Sequence, residues 1–411
     1  MKTIVIAAYS CAPDFGSEER VGWQAVLASK GRYAAHVFVQ GKSGELIGDE
    51  MIAELSRENI YIHIYDLGAL ALWIAEKSKV LKNLYYSLWH IRLADHITKT
   101  IDIKDVDIAH HVSWARYSTP TSLWKLGKPL VIGPVGGADV VPFSLLSSLR
   151  LRDQIIAITK SLLIRGLRFF PRIKRSYKES SVALACTSAT EAEIKKMNPA
   201  ANVKLMPLLT FSDPKNWHAS SEKFRVIATG RLLGWKGFGL VIEAFFKSSE
   251  LIAELVIVGD GPDRRRLESM VLKLQVAGGK KTVKFLGNVS NDRVWAELGK
   301  ASVFCFGSMH DSGGYSILEA MSVGLPVVCL DLAGNGIIVD ETCGIKIAAG
   351  DKNNVSQKMA DALDRISHDQ ELHENLSLGA KRRLEDFSLE KYRSQVHASY
   401  EQCLETECQY S

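Results

Sequence analysis

Two fixed positive charges stand in the run Gly230-Arg231-Leu232-Leu233-Gly234-Trp235-Lys236-Gly237, directly after the apolar stretch Phe224–Thr229. Cations on a glycine-bearing loop suit a diphosphate, Arg231 as a planar fork and Lys236 as a point charge. A solvated basic turn would have the same composition. A second run, Ser308-Met309-His310-Asp311-Ser312-Gly313-Gly314-Tyr315-Ser316-Ile317-Leu318-Glu319, follows the stretch Ser302–Phe306. Gly313 and Gly314 are placed to open a helix whose unpaired N–H groups can hold an anion. Asp311 and Glu319 stand about two helical turns apart, and a carboxylate pair at that spacing can accept hydrogen bonds from several hydroxyls of one polyol. A helix-surface acid is the plainer reading of Glu319, but its neighbours Ile317, Leu318, Ala320 and Met321 are apolar, so it is expected to face something specific.

Val256-Ile257-Val258-Gly259-Asp260-Gly261-Pro262-Asp263 reads as a strand, a glycine turn and a helix opening at or near Pro262. It lacks the complete G-x-G-x-x-G fingerprint, and neither half of the chain supplies one after its first strand, so a nicotinamide oxidoreductase is disfavoured. His110-His111 close the stretch Asp107–His110; each can be a packed imidazole or a reactive one, and His111, beyond the strand end, is the preferred candidate. His310, beside Asp311, is another. Asp105-Val106-Asp107 spells D-x-D, but it leads into a strand within an acidic run that includes Asp102, so no metal is expected there.

The elements that must hold these residues are legible as short β-branched runs alternating with helical patterns, the sequence form of a parallel sheet wrapped by helices. Strands are expected at Thr3–Ala8, Ala35–Gln40, Ile60–Tyr65, Asp107–His110, Pro129–Gly133, Ser181–Thr187 and Val203–Met206. The second half repeats the form at Phe224–Thr229, Glu254–Gly259, Val283–Leu286, Ser302–Phe306, Pro326–Leu330 and Gly344–Ala348. A boundary fits the polar stretch 210–216, giving domains 1–213 and 214–387, with a closing helix in 388–411. The 411 residues, 46% hydrophobic and 24% charged, are enough for two cores. A net charge of +5 is too small to argue for nucleic-acid binding. The seven cysteines are scattered without metal-ligand spacing and suit a reducing compartment. No apolar run approaches the ~18–20 residues needed to span a bilayer.

Taken together, the Gly230–Gly237 loop, the Gly259-Asp260-Gly261-Pro262 turn, the Asp311-x7-Glu319 pair and Gly324-Leu325-Pro326-Val327-Val328 resemble family 4 retaining glycosyltransferases of the GT-B fold. Gly16-Ser17-Glu18 and Gly133-Pro134-Val135-Gly136-Gly137 extend the resemblance over nearly the whole chain. It implies an α/β architecture of two doubly wound Rossmann-like domains facing a central cleft, with the acceptor on the first and a nucleotide-sugar on the second. By the same resemblance, Arg231 and Lys236 bind the donor diphosphate and stabilise its developing charge, and Glu319 holds the ribose hydroxyls. Asp311, with the backbone of Gly313, Gly314, Tyr315 and Ser316, meets the transferred sugar and the phosphates. Gly16, after the first strand, lets the N-terminal domain close onto the diphosphate, Gly230 allows close approach of the donor, Val289 lies beside the base, and His111 lies near the reacting sugar. The family's pair usually reads Glu-x7-Glu, and Asp311 shortens the first arm by one methylene.

The expected activity is transfer, with retention, of a sugar from a UDP- or GDP-sugar to a hydroxyl of a glycan or lipid-linked acceptor in cell-surface polysaccharide synthesis. No cofactor, metal or nucleic acid is expected. A catalytically silent sugar-nucleotide-binding protein of the same fold is the alternative. Residues 1–213 hold 27 basic and 20 acidic side chains, and the surplus gathers at 150–179 among apolar residues. Such a segment can lie on an anionic membrane surface or simply cover the core. The expected location is the cytoplasm, with peripheral contact at the inner face of the membrane through 150–179.

Overall fold

The computed structural model describes residues 1–13, 17–112, 114, 116–211, 224–278 and 281–410. The chain forms two compact units, one of residues 1–138, 163–210 and 389–411, the other of 139–162 and 211–388.

Among the described residues, which hold thirteen strands in all, the first unit is built on seven, β1 (Thr3–Ala7), β2 (Ala34–Val39), β3 (Ile60–Ile64), β4 (Ile108–His111), β5 (Leu130–Val135), β6 (Val182–Ala185) and β7 (Val203–Leu205). They lie side by side in the order β3-β2-β1-β4-β5-β6-β7, and every pairing is parallel. The second unit has six, β8 (Arg225–Thr229), β9 (Glu254–Val258), β10 (Thr282–Gly287), β11 (Val303–Phe306), β12 (Val327–Leu330) and β13 (Gly344–Ile347), in the parallel order β10-β9-β8-β11-β12-β13. All thirteen runs expected from the sequence are strands. The central ones are buried at nearly every position, which is why they read as continuous apolar runs and not as alternating ones.

Strand order reverses at β1/β4 in the first sheet and at β8/β11 in the second. Loops leaving adjacent strands at such a point diverge to opposite faces and leave a crevice at the carboxyl ends. The second sheet's crevice is bounded by the loops that begin at Gly230 and Gly307.

The structure departs from the expected division in one place: residues 139–162 pack with the second unit. Val141, Leu145, Leu146 and Leu149 are buried in the same core cluster as Leu240, Phe245 and Leu267, and Arg150 pairs with Asp263 at 3.0 Å. A four-residue apolar set spread over a single short 3-10 turn, Phe143–Ser148, and its flanks is too short to show a period, so its burial is decided by whichever core offers the complementary surface. The expected basic segment 150–179 is two helices, Leu151–Leu167 and Pro171–Lys178, and the division between units falls inside the first. The terminal helix Leu389–Tyr410 lies against the helix Ser17–Ser29 and against β4 and β5.

Candidate functional site

In the second unit β8 and β11 pair through Val226–Val303 and Ile227–Phe304, so the loops that follow them emerge side by side. Glycine permits this at two crowded points. Gly259 has φ +124°, and a Cβ there would stand 2.1 Å from the Gly230 carbonyl oxygen; Gly237 has φ +67°, and a Cβ there would stand 1.9 Å from that of Gly307. No side chain fits at either position.

Between these loops and the one after β10 lies a cleft of about 400 Å³, whose walls include Gly230, Arg231, Val289, Ser316 and Glu319. Five residues singled out from the sequence therefore share one cavity. Arg231 is exposed and, among the described residues, makes no ion pair. It is a cation in place and uncommitted. The Thr229 hydroxyl at the cleft wall is buried and has no hydrogen-bond partner among the described residues. A ligand with donors and acceptors would satisfy it. Asp260 is held below the usual carboxylate range by the Gly261 N–H and then by the Arg264 guanidinium, and so remains an anion on the rim.

Lys236, Asp311, Gly313 and Gly314 form a second cluster. The Lys236 ammonium donates to Asp311 Oδ2, and the side chains are only 15% and 19% exposed. Asp311 Oδ1 accepts from the N–H of Gly313 at 3.2 Å and of Gly314 at 3.3 Å, closing the turn that opens the helix Tyr315–Ser322. Burial raises the Asp311 pKa, but the Lys236 ammonium and the two backbone N–H groups outweigh it and hold the carboxyl below its ordinary value. Of the helix-opening amides expected to meet a ligand, those of Gly313 and Gly314 are thus engaged by Asp311. Tyr315 turns to the core, its ring 5.7 Å from that of Phe211. It does not line the cleft.

His310 stacks on Trp235 with ring centroids 4.1 Å apart, and burial followed by the Lys160 ammonium pushes its pKa down to about 4, so it is neutral at pH 7. Lys160 donates to the Asp139 carbonyl at 2.9 Å, and Asp139 Oδ2 accepts from the Ser312 hydroxyl at 3.0 Å. Neither Asp139 nor Lys160 was legible as a site residue, because both belong to the segment that changes unit. Asn288, Asn291 and Trp295, which also line the cleft, could have been found from their place just after β10.

In the first unit His110 and His111 part ways. His110 Nε2 stands 2.7 Å from the Gly133 carbonyl, which only accepts, so Nε2 carries the proton and Nδ1 accepts from the Tyr400 hydroxyl at 2.7 Å. That histidine ties β4 and β5 to the terminal helix. His111 ends β4 at the sheet's reversal point, fully buried, with its ring 4.3 Å from that of His90. Neither of its nitrogens has a hydrogen-bond partner among the described residues, and burial, then His110, pushes its pKa down to about 3. Gly16 lies outside the described residues. Asp107 accepts from Lys2 Nζ and the Thr3 N–H, both at 2.8 Å, so the D-x-D run is engaged in holding β1.

The site on the β8/β11 crevice and its surrounding sheet define a class. Residues 211–383 match the model of the family described as glycosyl transferases group 1. The chain is 24% identical over 235 residues to the lipopolysaccharide core biosynthesis glycosyltransferase LpsD of Rhizobium meliloti (strain 1021), covering 56% of this chain and 65% of that protein. It is 31% identical over 163 residues to N-acetyl-alpha-D-glucosaminyl L-malate synthase of Bacillus anthracis, covering 39% and 40%. The match thus spans less than two thirds of the length of either relative. Among solved structures, HepE of Anabaena in complex with UDP and glucose superposes with a TM-score of 0.55 at 16% identity, over 97% of this chain and 99% of that one. The fold is GT-B, with two Rossmann-like units.

Proposed function

We propose that the protein is a retaining glycosyltransferase that moves a sugar from a UDP- or GDP-sugar to a hydroxyl of a glycan or lipid-linked acceptor in cell-surface polysaccharide synthesis. The observation that carries the reading is the single cleft that gathers Arg231, Val289, Ser316 and Glu319 beyond the carboxyl ends of β8, β10 and β11. The reading is supported by HepE, whose structure holds UDP in the same fold. Arg231 takes the diphosphate, Glu319 the ribose and Val289 the face of the base. Lys236 and Asp311 sit at the sugar side, where the ammonium exchanges part of its bond to Asp311 for the leaving diphosphate.

Breaking an anomeric bond leaves a cation-like sugar and a diphosphate with added charge, so a preplaced cation acts where charge develops. No metal is needed for that step in this reading, and the proton of the acceptor hydroxyl passes to a donor phosphate oxygen on the same face. The acceptor belongs to the N-terminal unit, His111 stands nearest its reacting end, and 150–179 brings that unit to an anionic membrane. Incubation with UDP- and GDP-sugars tests this. Release of sugar without acceptor, and an α-linked product from an α-linked donor by NMR, are expected. Tight UDP or GDP binding without hydrolysis or transfer would instead make the protein a sugar-nucleotide-binding one.

A further inference from the structure

The N-terminal unit carries a second hollow, of about 320 Å³, between the helix Lys79–Thr100, the turn at Leu123–Leu126 and the helix Pro171–Lys178. Its floor is apolar, from Ile91, Trp124 and Pro171, and its rim is cationic, from Arg172 and Arg175, while Lys125 is paired with Asp95 at 3.0 Å. The Arg175 guanidinium lies over the Trp124 ring at 3.7 Å, and its ion pair with Glu179 is long, at 3.8 Å. Arg172 is exposed and unpaired among the described residues.

Ile91 is the last member of a stripe. Val80, Leu84, Leu88 and Ile91 fall on one face of the helix Lys79–Thr100 by their spacing, and the first three are 76%, 55% and 39% exposed. The stripe is about 16 Å long at the rise of an α-helix. The helix before it, Ala69–Glu76, adds exposed Leu70, Trp73 and Ile74, with the Lys77 ammonium 4.0 Å from the Trp73 ring centre. On the other side of the hollow, exposed Phe169 and Phe170 precede Pro171. Such an apolar face does not stay open to water without a partner.

Charge identifies the partner. Residues 163–178 contain six Lys or Arg and no acid, and residues 79–92 contain three and no acid. A second copy of the chain would bring this face against its own sign. Aliphatic and aromatic side chains flanked by a surplus of cations over the rim acids Asp95 and Glu179, with two of the cations held over tryptophan rings, match the headgroup boundary of an anionic bilayer. We propose that this face of the N-terminal unit docks on an anionic membrane, with a lipid phosphate held at the hollow by Arg172 and Arg175 and with the Val80–Leu88 stripe and Phe169-Phe170 in the acyl boundary. The proposal rests on the membrane part of the function above and not on the transfer reaction. It moves the contact from the whole 150–179 segment to the hollow and a stripe outside that segment.

Co-sedimentation of the full chain with phosphatidylcholine vesicles, with and without phosphatidylglycerol, at low and high salt, tests it. The parent is expected to bind only the anionic vesicles, and to be released by salt. Partitioning should fall about tenfold or more in Arg172→Glu/Arg175→Glu and in Leu84→Ser/Leu88→Ser, and stay unchanged in Ile155→Ser/Ile158→Ser. All these side chains are exposed, and unchanged circular dichroism and melting temperature establish that each variant folds. Equal binding to neutral and anionic vesicles, or none to either, would overturn both the membrane reading and the hollow while leaving the transfer reading standing. Loss confined to the Ile155/Ile158 variant would overturn the hollow alone. A dimer in solution abolished by the stripe substitutions, without vesicle binding, would make the occupant a second copy and overturn the proposal.

Discussion

Replacing Lys236 by Met leaves Asp311 as a mostly buried carboxylate with two backbone N–H donors and no cation. Breaking a fully buried ion pair from one side costs about 3–5 kcal/mol. The residual exposure of this pair, 15% and 19%, lets water reach the stranded carboxylate, so roughly 3 kcal/mol is expected here. For a unit of this size that is a fall in melting temperature of roughly 6–12 °C. Asp311→Asn keeps the acceptor for Gly313 and Gly314 and strands only a flexible ammonium that can turn to water, so its cost is expected near 1–2 kcal/mol. In Lys236→Met/Asp311→Asn neither charge is stranded, and the loss should stay near 2 kcal/mol instead of reaching the sum. Urea unfolding of the four proteins, followed by tryptophan fluorescence, measures the cycle. A coupling of at least about 1.5 kcal/mol is expected; additive losses would mean that the two side chains do not form the pair described.

Three further outcomes follow from the geometry. His310 has its pKa lowered from 6.5 to about 4 by burial, then Lys160, so the unfolded chain takes up its proton first. Its contribution, roughly 3 kcal/mol at most, is complete above pH 6.5 and is lost as pH falls from 6.5 towards 4. The melting temperature of His310→Asn should therefore decline less steeply than the parent's over that window, and parallel curves would show the imidazole to be solvated. Tyr400→Phe leaves His110 Nδ1 without its donor and should cost about 1–3 kcal/mol by chemical denaturation; a variant as stable as the parent would remove the assigned tautomer. Gly237→Ala forces a Cβ against the Gly307 carbonyl and should cost at least roughly 3 kcal/mol, whereas a well-folded variant would mean that the two loops are further apart.

Sequence reading located all thirteen strands because doubly buried parallel strands announce themselves as short β-branched runs, and it located the cleft because ligands in such sheets lie beyond strand ends. Arg231 was legible on that ground, Glu319 through its apolar neighbours and its spacing from Asp311, and Val289 and Ser316 through the family resemblance. The Lys236–Asp311 bond was not, since the partners are 75 residues apart and each was read as facing a ligand. Nor was the engagement of His110, whose hydroxyl partner is 290 residues away. The transfer of 139–162 to the second unit depends on which core accepts Leu145 and Leu146, a choice that local pattern does not encode. Chemistry borne by backbone turns was readable; chemistry borne by contacts between distant side chains was not.

The central claim, that the β8/β11 cleft binds a nucleoside diphosphate through Arg231, is tested most directly by the thermal shift of the parent and of Arg231→Ala with UDP and GDP. Arg231 is exposed and makes no ion pair among the described residues, so the variant should melt within about 0.5 kcal/mol of the parent. One nucleotide should raise the parent's melting temperature increasingly with concentration, and the variant should need at least roughly tenfold more of it. No shift with either nucleotide, or an equal shift in both proteins, would contradict the account.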